Sequence, residues 1–131
     1  QKPKVEYDGL GRTILLVEDT DFLRSWIKLM LEEANYNVIE ANCGAEAMNQ
    51  FVKVVDETDA LVTDLSMPLM TGNQLTRVLR ELKPALPVIY ITGFSSGGIA
   101  QDPEPSAVLH KPFTREALLG ELARILSTAV R

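Results

Sequence analysis

Short, largely apolar runs recur along the chain and predict the strands of a sheet. They are mostly continuous rather than alternating, which is typical of strands covered on both faces. The predicted strands are Thr13–Val17, Asn37–Ala41, Asp59–Thr63, Pro87–Ile91 and Ser106–His110. The third strand delivers Asp64 at its end, shortly before Pro68, which cannot continue a strand ladder.

Apolar residues at helical spacing follow four of these strands and predict helices with one buried face each. The first helix begins near Thr20, and Asn42 is expected to cap the second. Thr71 and Gln74 fit a capping box at the start of the third helix, and Thr114 is expected to cap the last. The third helix is predicted to bury a stripe of apolar residues, Leu75, Val78, Leu79 and Leu82.

Two segments fit neither pattern. Residues 1–12 are polar and contain Pro and Gly, so they are predicted to form a linker that precedes a domain of residues 13–131. Residues 94–105, after the fourth strand, are rich in Gly, Ser and Pro. A helix between the fourth and fifth strands is therefore expected to be short or irregular.

Strands that alternate with helices through short connections require a parallel sheet, and right-handed crossovers place helices on both of its faces. The sequence therefore predicts a single α/β domain with a doubly wound, five-stranded parallel sheet. Functional residues in such sheets collect beyond the carboxyl ends of the strands. The polar residues at those ends are Glu18, Asp19, Asp64, Thr92 and Lys111.

Composition and charge argue against several classes of function. The 131 residues carry a net charge of -5, which disfavours binding to a nucleic-acid backbone. The single cysteine, Cys43, cannot form an internal disulfide, and no apolar run is long enough to cross a bilayer. We therefore expect a cytoplasmic domain without membrane contact.

The carboxylates at the strand ends predict a metal site. Two like charges roughly 4 Å apart cost about 4 kcal/mol at an effective dielectric near 20. Protons or a cation must therefore relieve the repulsion among Glu18, Asp19 and Asp64. Ligands made of oxygen alone suit Mg²⁺. Beside such an ion Asp64 is a competent nucleophile toward a phosphoryl group, whose oxygens the Thr92 hydroxyl and the Lys111 ammonium can bind.

From about Thr13 to its end, the chain resembles the receiver domains of two-component response regulators. The matching segments are Ile14–Asp19, Thr63–Pro68 with Gly72, Tyr90–Gly93 and His110–Phe113. The resemblance implies a flavodoxin-like fold with the strand order 2-1-3-4-5.

The resemblance also assigns roles to the residues at the strand ends. It implies that Asp64 accepts a phosphoryl group from a histidine kinase or a histidine phosphotransfer protein. Thr92 would be the switch hydroxyl, and Lys111 would contact the phosphoryl group. The implied Mg²⁺ ligands are three carboxylates and one backbone carbonyl, those of Glu18, Asp19, Asp64 and Ser66. Phosphorylation would switch the conformation that partners recognise, and the isolated domain would catalyse only its own phosphorylation and dephosphorylation.

Three alternatives stay open at this stage. Val108 stands where many members of the family carry Tyr or Phe, which leaves open an interaction module that does not depend on phosphorylation. A metal-dependent phosphohydrolase is disfavoured, because Ser66 occupies the position where such enzymes usually need a second acidic residue. The polar leader is similar to that of a C-terminal receiver in a hybrid histidine kinase, so a kinase core in the same polypeptide is also left open.

Overall fold

The computed structural model describes residues 7–93 and 106–127. Within those ranges the elements are, in chain order, β1 (Thr13–Val17), α1 (Asp21–Glu33), β2 (Asn37–Ala41), α2 (Gly44–Phe51), β3 (Thr58–Asp64), α3 (Gly72–Leu82), β4 (Val88–Thr92), β5 (Ala107–His110) and α4 (Arg115–Ser127). All five predicted strands are present, and their ends differ from the prediction by at most one residue. The short or irregular helix expected between β4 and β5 falls on residues 94–105, which lie outside the described residues.

The strands form one parallel sheet in the order β2-β1-β3-β4-β5. This confirms the doubly wound, five-stranded sheet and the strand order 2-1-3-4-5. Successive strands are added toward one edge of the sheet up to β2 and toward the other edge from β3 onward, so the strand order reverses between β1 and β3. Ligand sites in such folds lie beyond the carboxyl ends of the strands at this point.

Successive residues of each strand enter two separate cores. In β1, Ile14 and Leu16 pack with α1 and α4, whereas Leu15 and Val17 pack with α2 and α3. Side chains alternate across a strand, so a sheet covered on both faces needs apolar residues at every position. The prediction of helices on both faces is therefore confirmed. None of the described helices is long and apolar enough to cross a membrane.

The predicted caps of α3 and α4 are confirmed. Thr71 Oγ1 accepts a hydrogen bond from the Gln74 backbone N–H at 3.2 Å, and Gln74 Oε1 accepts one from the Thr71 N–H at 3.0 Å. At the start of α4, Thr114 Oγ1 accepts a hydrogen bond from the Ala117 N–H at 3.0 Å. These contacts satisfy backbone donors that have no partner inside the helix.

The predicted cap of α2 is wrong. The backbone stays extended through Cys43, which is the N-cap residue and makes no side-chain capping bond. Asn42 instead donates its backbone N–H to Glu46 Oε1 at 2.7 Å. The helix therefore begins one residue later than an Asn42 cap would allow.

The predicted buried stripe of α3 is half wrong. Leu75 and Leu79 are buried, but Val78 and Leu82 are exposed. Thr76 is buried in their place and donates its hydroxyl to the Gly72 carbonyl at 2.8 Å. This hydrogen bond lets a polar residue lie on the inner face of α3, so the helix is rotated relative to the purely apolar pattern.

Residues 7–12 lie against the connection between α1 and β2. The Gly9 N–H donates to the Ala34 carbonyl at 2.6 Å, and the Gly11 N–H donates to the Asn35 carbonyl at 2.8 Å. Tyr7 packs at the edge of the core beneath α1 and α4. The division into a linker of residues 1–12 and a domain of residues 13–131 stays a prediction.

Candidate functional site

Three carboxylates meet where β1 and β3 end. Glu18 and Asp19 directly follow β1, and Asp64 is the last residue of β3. Because β1 and β3 are parallel neighbours, their carboxyl ends lie at the same edge of the sheet. One carboxylate oxygen from each residue lies within 4.8 Å of the others. We call Glu18, Asp19 and Asp64 the acidic cluster.

The acidic cluster is buried on one side and open on the other. Glu18 is fully buried and Asp64 is almost so, whereas Asp19 is exposed. Ser66, two residues after Asp64, is also exposed. Solvent and small solutes can therefore approach the cluster from the side of Asp19 and Ser66.

Both carboxylate oxygens of Asp64 accept a hydrogen bond. Lys111 Nζ donates to Asp64 Oδ2 at 2.9 Å, and the Ser66 backbone N–H donates to Asp64 Oδ1 at 2.9 Å. Burial alone would lower the pKa of Lys111, but the hydrogen bond to Asp64 and the surrounding carboxylates outweigh it and raise that pKa. Lys111 is therefore a cation fixed against Asp64.

Of the two buried carboxylates, Glu18 has fewer favourable interactions than Asp64 to offset its burial. Its Oε2 accepts a hydrogen bond from the Thr20 N–H at 3.0 Å, but its buried Oε1 has no hydrogen-bond partner among the described residues. Lys111 Nζ lies 3.9 Å from that atom, which is too long for a hydrogen bond. Burial, with a contribution from Asp64, raises the pKa of Glu18 to about 7. A buried acceptor of this kind, within reach of two other carboxylates, fits a bound divalent cation.

Thr92 and Lys111 are held together by the sheet. Thr92 is buried at the end of β4 and pairs with His110 in the register of β4 and β5. The Lys111 backbone N–H donates to the Thr92 carbonyl at 2.8 Å. The structure thus places both residues at the edge that carries the acidic cluster. The Lys111–Pro112 peptide bond that follows is cis.

Val108 lies two residues before His110 and contributes to the core rather than to the site. It pairs with Tyr90 in the sheet register and packs, partly buried, against the core beneath α2 and α3. Tyr90 itself is fully buried in that core. The position at which the family often has an aromatic residue therefore holds a small, partly buried aliphatic side chain on the edge strand β5.

Gly72 allows α3 to begin directly against the end of β3. A Cβ atom at this position would lie 2.6 Å from the Asp64 carbonyl oxygen and 3.1 Å from Leu65 Cα. The Gly72 N–H also donates to the Leu65 carbonyl at 2.9 Å. Both clashing groups are backbone, so they cannot move without shifting Asp64.

Gly72→Ala is therefore expected to lower the free energy of unfolding by about 1–3 kcal/mol, as overpacking of a rigid site usually does. Chemical denaturation followed by circular dichroism measures the change. Gly120→Ala in α4 is the matched control, because its Cβ would meet only the end of the Tyr7 side chain, at 3.3 Å. An equal loss in the two variants would contradict the proposed role of the Asp64 backbone contact.

One residue near the site was missed from the sequence. Arg24, in the first part of α1, donates Nη1 to the Glu18 backbone carbonyl at 2.7 Å. It also donates Nη2 to Asp21 Oδ1 at 2.8 Å and Nε to Glu40 Oε1 at 3.3 Å. An arginine on the polar face of an amphipathic helix is ordinarily solvated, so the sequence pattern carried no signal for these contacts.

Comparison with known proteins decides the family. A family model described as the response regulator receiver domain matches residues 14–123. The chain belongs to this family. The chain is therefore a receiver domain of two-component signalling, which agrees with the resemblance that its motifs carry.

Individual relatives of this receiver domain include free-standing proteins and parts of kinases. The response regulator receiver protein CpdR of Brucella abortus (strain 2308) is 34% identical over 121 residues, which cover 90% of this chain and 99% of CpdR. The sensor kinase CckA of the same strain is 33% identical over 117 residues, or 87% of this chain, but the match spans only 12% of CckA. The chain is thus similar to a complete receiver protein and to a small part of a kinase.

A solved structure supports the same fold. The crystal structure of a response regulator receiver protein from Sinorhizobium medicae WSM419 superposes with a TM-score of 0.82 at 30% sequence identity. The match covers 90% of this chain and 96% of that protein. The receiver fold described above is therefore shared over nearly its whole length.

Proposed function

We propose that this receiver domain accepts a phosphoryl group on Asp64, with Mg²⁺ bound by the acidic cluster and the Ser66 backbone carbonyl. The observation that carries the proposal is the buried Glu18 Oε1, which lacks a hydrogen bond within the described residues, beside an Asp64 carboxylate that Lys111 holds at 2.9 Å. When bound, Mg²⁺ would neutralise charge on the phosphoryl oxygens and on the cluster. The other contacts with the phosphoryl group would be made by side chains of this protein.

The proposed reaction is a displacement at phosphorus. A carboxylate oxygen of Asp64 forms the new O–P bond, and the N–P bond of a phosphohistidine donor breaks, so that the imidazole leaves with the electron pair. Lys111 pairs with a phosphoryl oxygen and Thr92 donates its hydroxyl to another, which holds the group in place. Water later attacks the phosphorus and releases phosphate from Asp64.

A small phosphodonor tests this proposal without a partner protein. The chain is incubated with phosphoramidate in the presence of Mg²⁺ or of a chelator, and its intact mass is recorded. We expect one acid-labile phosphoryl group, incorporated only with Mg²⁺ and mapped to the peptide that contains Asp64. Incorporation that is independent of Mg²⁺, or that maps to another peptide, would contradict the proposal.

The natural donor is proposed to be a histidine kinase or a histidine phosphotransfer protein. An exposed apolar stripe on α1 supports a protein donor: Phe22, Trp26 and Leu29 are 83%, 39% and 55% exposed. Their spacing of four and three residues places them on one face of the helix. Trp26 also packs on Phe113, with ring centroids 5.7 Å apart, and Phe113 lies two residues after Lys111.

This stripe, formed by Phe22, Trp26 and Leu29, therefore begins at the edge that carries Asp64. A donor that presents a histidine to Asp64 must cover that edge, and exposed aromatic residues commonly form the centre of an interface. A cytoplasmic location, the absence of nucleic-acid binding and membrane contact, and a kinase core in the same polypeptide stay predictions.

Phe22→Ala combined with Leu29→Ala is expected to slow phosphotransfer from a histidine kinase about tenfold or more, because two interface anchors are truncated. The kinase used is the one in the source organism that phosphorylates the wild-type chain fastest. Incorporation from phosphoramidate should stay unchanged, because neither side chain belongs to the acidic cluster. Leu82→Ala, at an exposed position of α3, is the control and should behave as wild type.

A second candidate function is an interaction module that does not depend on phosphorylation. Val108 favours it, because a small aliphatic residue packed opposite Tyr90 has no ring to move when Thr92 changes position. Partner affinity measured before and after phosphorylation separates the two candidates. A change in affinity supports the switch, and equal affinities support the constitutive module.

A further inference from the structure

The segment that carries Glu18 and Asp19 needs a restraint. Glu18 is buried next to Asp64, and like charges at such distances repel in a poorly solvated site. The segment is only three residues long, between the end of β1 and the start of α1 at Asp21. Without a contact on its backbone, the repulsion would move Glu18 and Asp19 outward and widen the acidic cluster.

Two hydrogen bonds hold the backbone of Glu18, one at its N–H and one at its carbonyl. Its N–H donates to the Ala41 carbonyl at the end of β2, at 3.1 Å. Its carbonyl accepts the 2.7 Å hydrogen bond from Arg24 Nη1, which is charge-assisted and therefore strong. The β2 backbone thus holds the Glu18 N–H, and Arg24 holds the Glu18 carbonyl.

The Arg24 guanidinium is itself fixed. Its side chain is 15% exposed, and it pairs with Asp21 on its own helix and with Glu40 on β2. The pKa of Glu40 is held below its ordinary value by Lys28 in the first place and also by Arg24, so Glu40 is a stable anion at this position. A planar group with donors in a rigid fork can bind three acceptors at once, which lysine cannot do in the same geometry.

We propose that Arg24 is a positioning residue for the metal site: it fixes the Glu18 backbone so that the Glu18 and Asp19 carboxylates converge with Asp64. This inference rests on the proposed Mg²⁺-dependent phosphorylation and names a residue that tunes it. The side-chain hydrogen bonds of Arg24 end on the Glu18 carbonyl, Asp21 and Glu40 rather than on the carboxylate oxygens of the acidic cluster, so we expect its effect in metal affinity rather than in the chemical step.

Arg24→Met removes all three hydrogen bonds and keeps most of the aliphatic stem. We expect the Mg²⁺ affinity of the full chain, measured by calorimetry, to fall about tenfold, as loss of groups that orient metal ligands typically causes. Phosphorylation by phosphoramidate should require correspondingly more Mg²⁺ for half-saturation. At saturating Mg²⁺ its rate should return close to that of the wild type, a separation that a general loss of structure would not produce.

Lys28→Met is the matched control. Lys28 Nζ also pairs with Glu40, at 3.0 Å, so both variants remove a cation from the same anion. The Glu18 backbone is held by Arg24 and Ala41 rather than by Lys28, whose partly exposed ion pair contributes little. Mg²⁺ affinity of Lys28→Met should therefore stay within about twofold of wild type. Arg24→Lys, which keeps the charge but not the fork, should fall between Arg24→Met and the wild type.

Equal Mg²⁺ affinities of the wild type and Arg24→Met, or equal losses in Arg24→Met and Lys28→Met, would overturn the role of Arg24. If Arg24→Met does not give a folded circular dichroism spectrum, Arg24→Lys decides the question by the same comparison. Failure of the wild-type chain to bind Mg²⁺ at all would instead overturn the proposed function. The two failures are therefore distinguishable in one titration series.

Discussion

Asp64→Asn is expected to abolish phosphoryl incorporation from phosphoramidate while leaving the fold intact. The amide has nearly the same shape as the carboxylate, so it fits the same buried position at the end of β3. Its oxygen carries no negative charge and is a far weaker nucleophile toward phosphorus. Intact mass after incubation with Mg²⁺ measures the loss, and circular dichroism verifies the fold.

The matched control is Asp56→Asn, at an exposed position in the connection between α2 and β3. It makes the same chemical change outside the acidic cluster and should incorporate phosphoryl as the wild type does. One phosphoryl group on Asp64→Asn, at the wild-type rate, would remove Asp64 from the proposed role. Loss in both variants would show that incorporation responds to net charge rather than to this carboxylate.

The arrangement of the sheet was predictable because continuous apolar runs in the sequence mark the strands that are buried on both faces. Ile14 and Leu16 enter one core and Leu15 and Val17 enter the other, so an unbroken apolar run was required at β1. Polar residues then appear where each such run ends. For a parallel sheet this places Glu18, Asp19 and Asp64 at one edge, which is why the acidic cluster could be predicted before its geometry was known.

Features that depend on the rotation of a helix or on a long side chain were not predictable in this way. The pattern of α3 gave no reason to bury Thr76 rather than Val78, because the preference follows from a hydrogen bond to the Gly72 carbonyl. The reach of Arg24 to the Glu18 carbonyl depends on the path of the segment between β1 and α1. Both are tertiary outcomes that local periodicity does not encode.

The acidic cluster links the stability of the fold to its proposed function. A buried carboxylate oxygen without a hydrogen bond from the described residues is unfavourable in the metal-free protein, and repulsion from Asp64 adds to this cost. The same features create affinity for a cation. Residues that bind ligands are commonly retained at the expense of stability. Replacement of Glu18 should therefore raise the stability of the metal-free protein and lower its affinity for a cation.

Glu18→Gln is accordingly expected to stabilise the metal-free protein by about 1–3 kcal/mol, the usual cost of an unsatisfied buried acceptor. The amide oxygen can still accept the Thr20 N–H, and the site loses one negative charge. Mg²⁺ affinity should fall at least tenfold, equivalent to about 1.4 kcal/mol, because a ligand is removed. Urea denaturation in a chelator measures the stability, and calorimetry measures the Mg²⁺ affinity.

The stability difference should also depend on pH in a defined direction. Burial raises the pKa of Glu18 to about 7 from an ordinary 4.5, so between these values the folded chain holds a proton that the unfolded chain has released. The metal-free wild type therefore loses stability as pH rises from 4.5 to 7, and Glu18→Gln lacks this loss. The advantage of the variant should be larger at about pH 8 than at about pH 5. Glu57→Gln, at an exposed position, is the control for loss of a carboxylate outside the acidic cluster. A constant advantage across this range would mean that the Glu18 carboxylate is not the source of the instability.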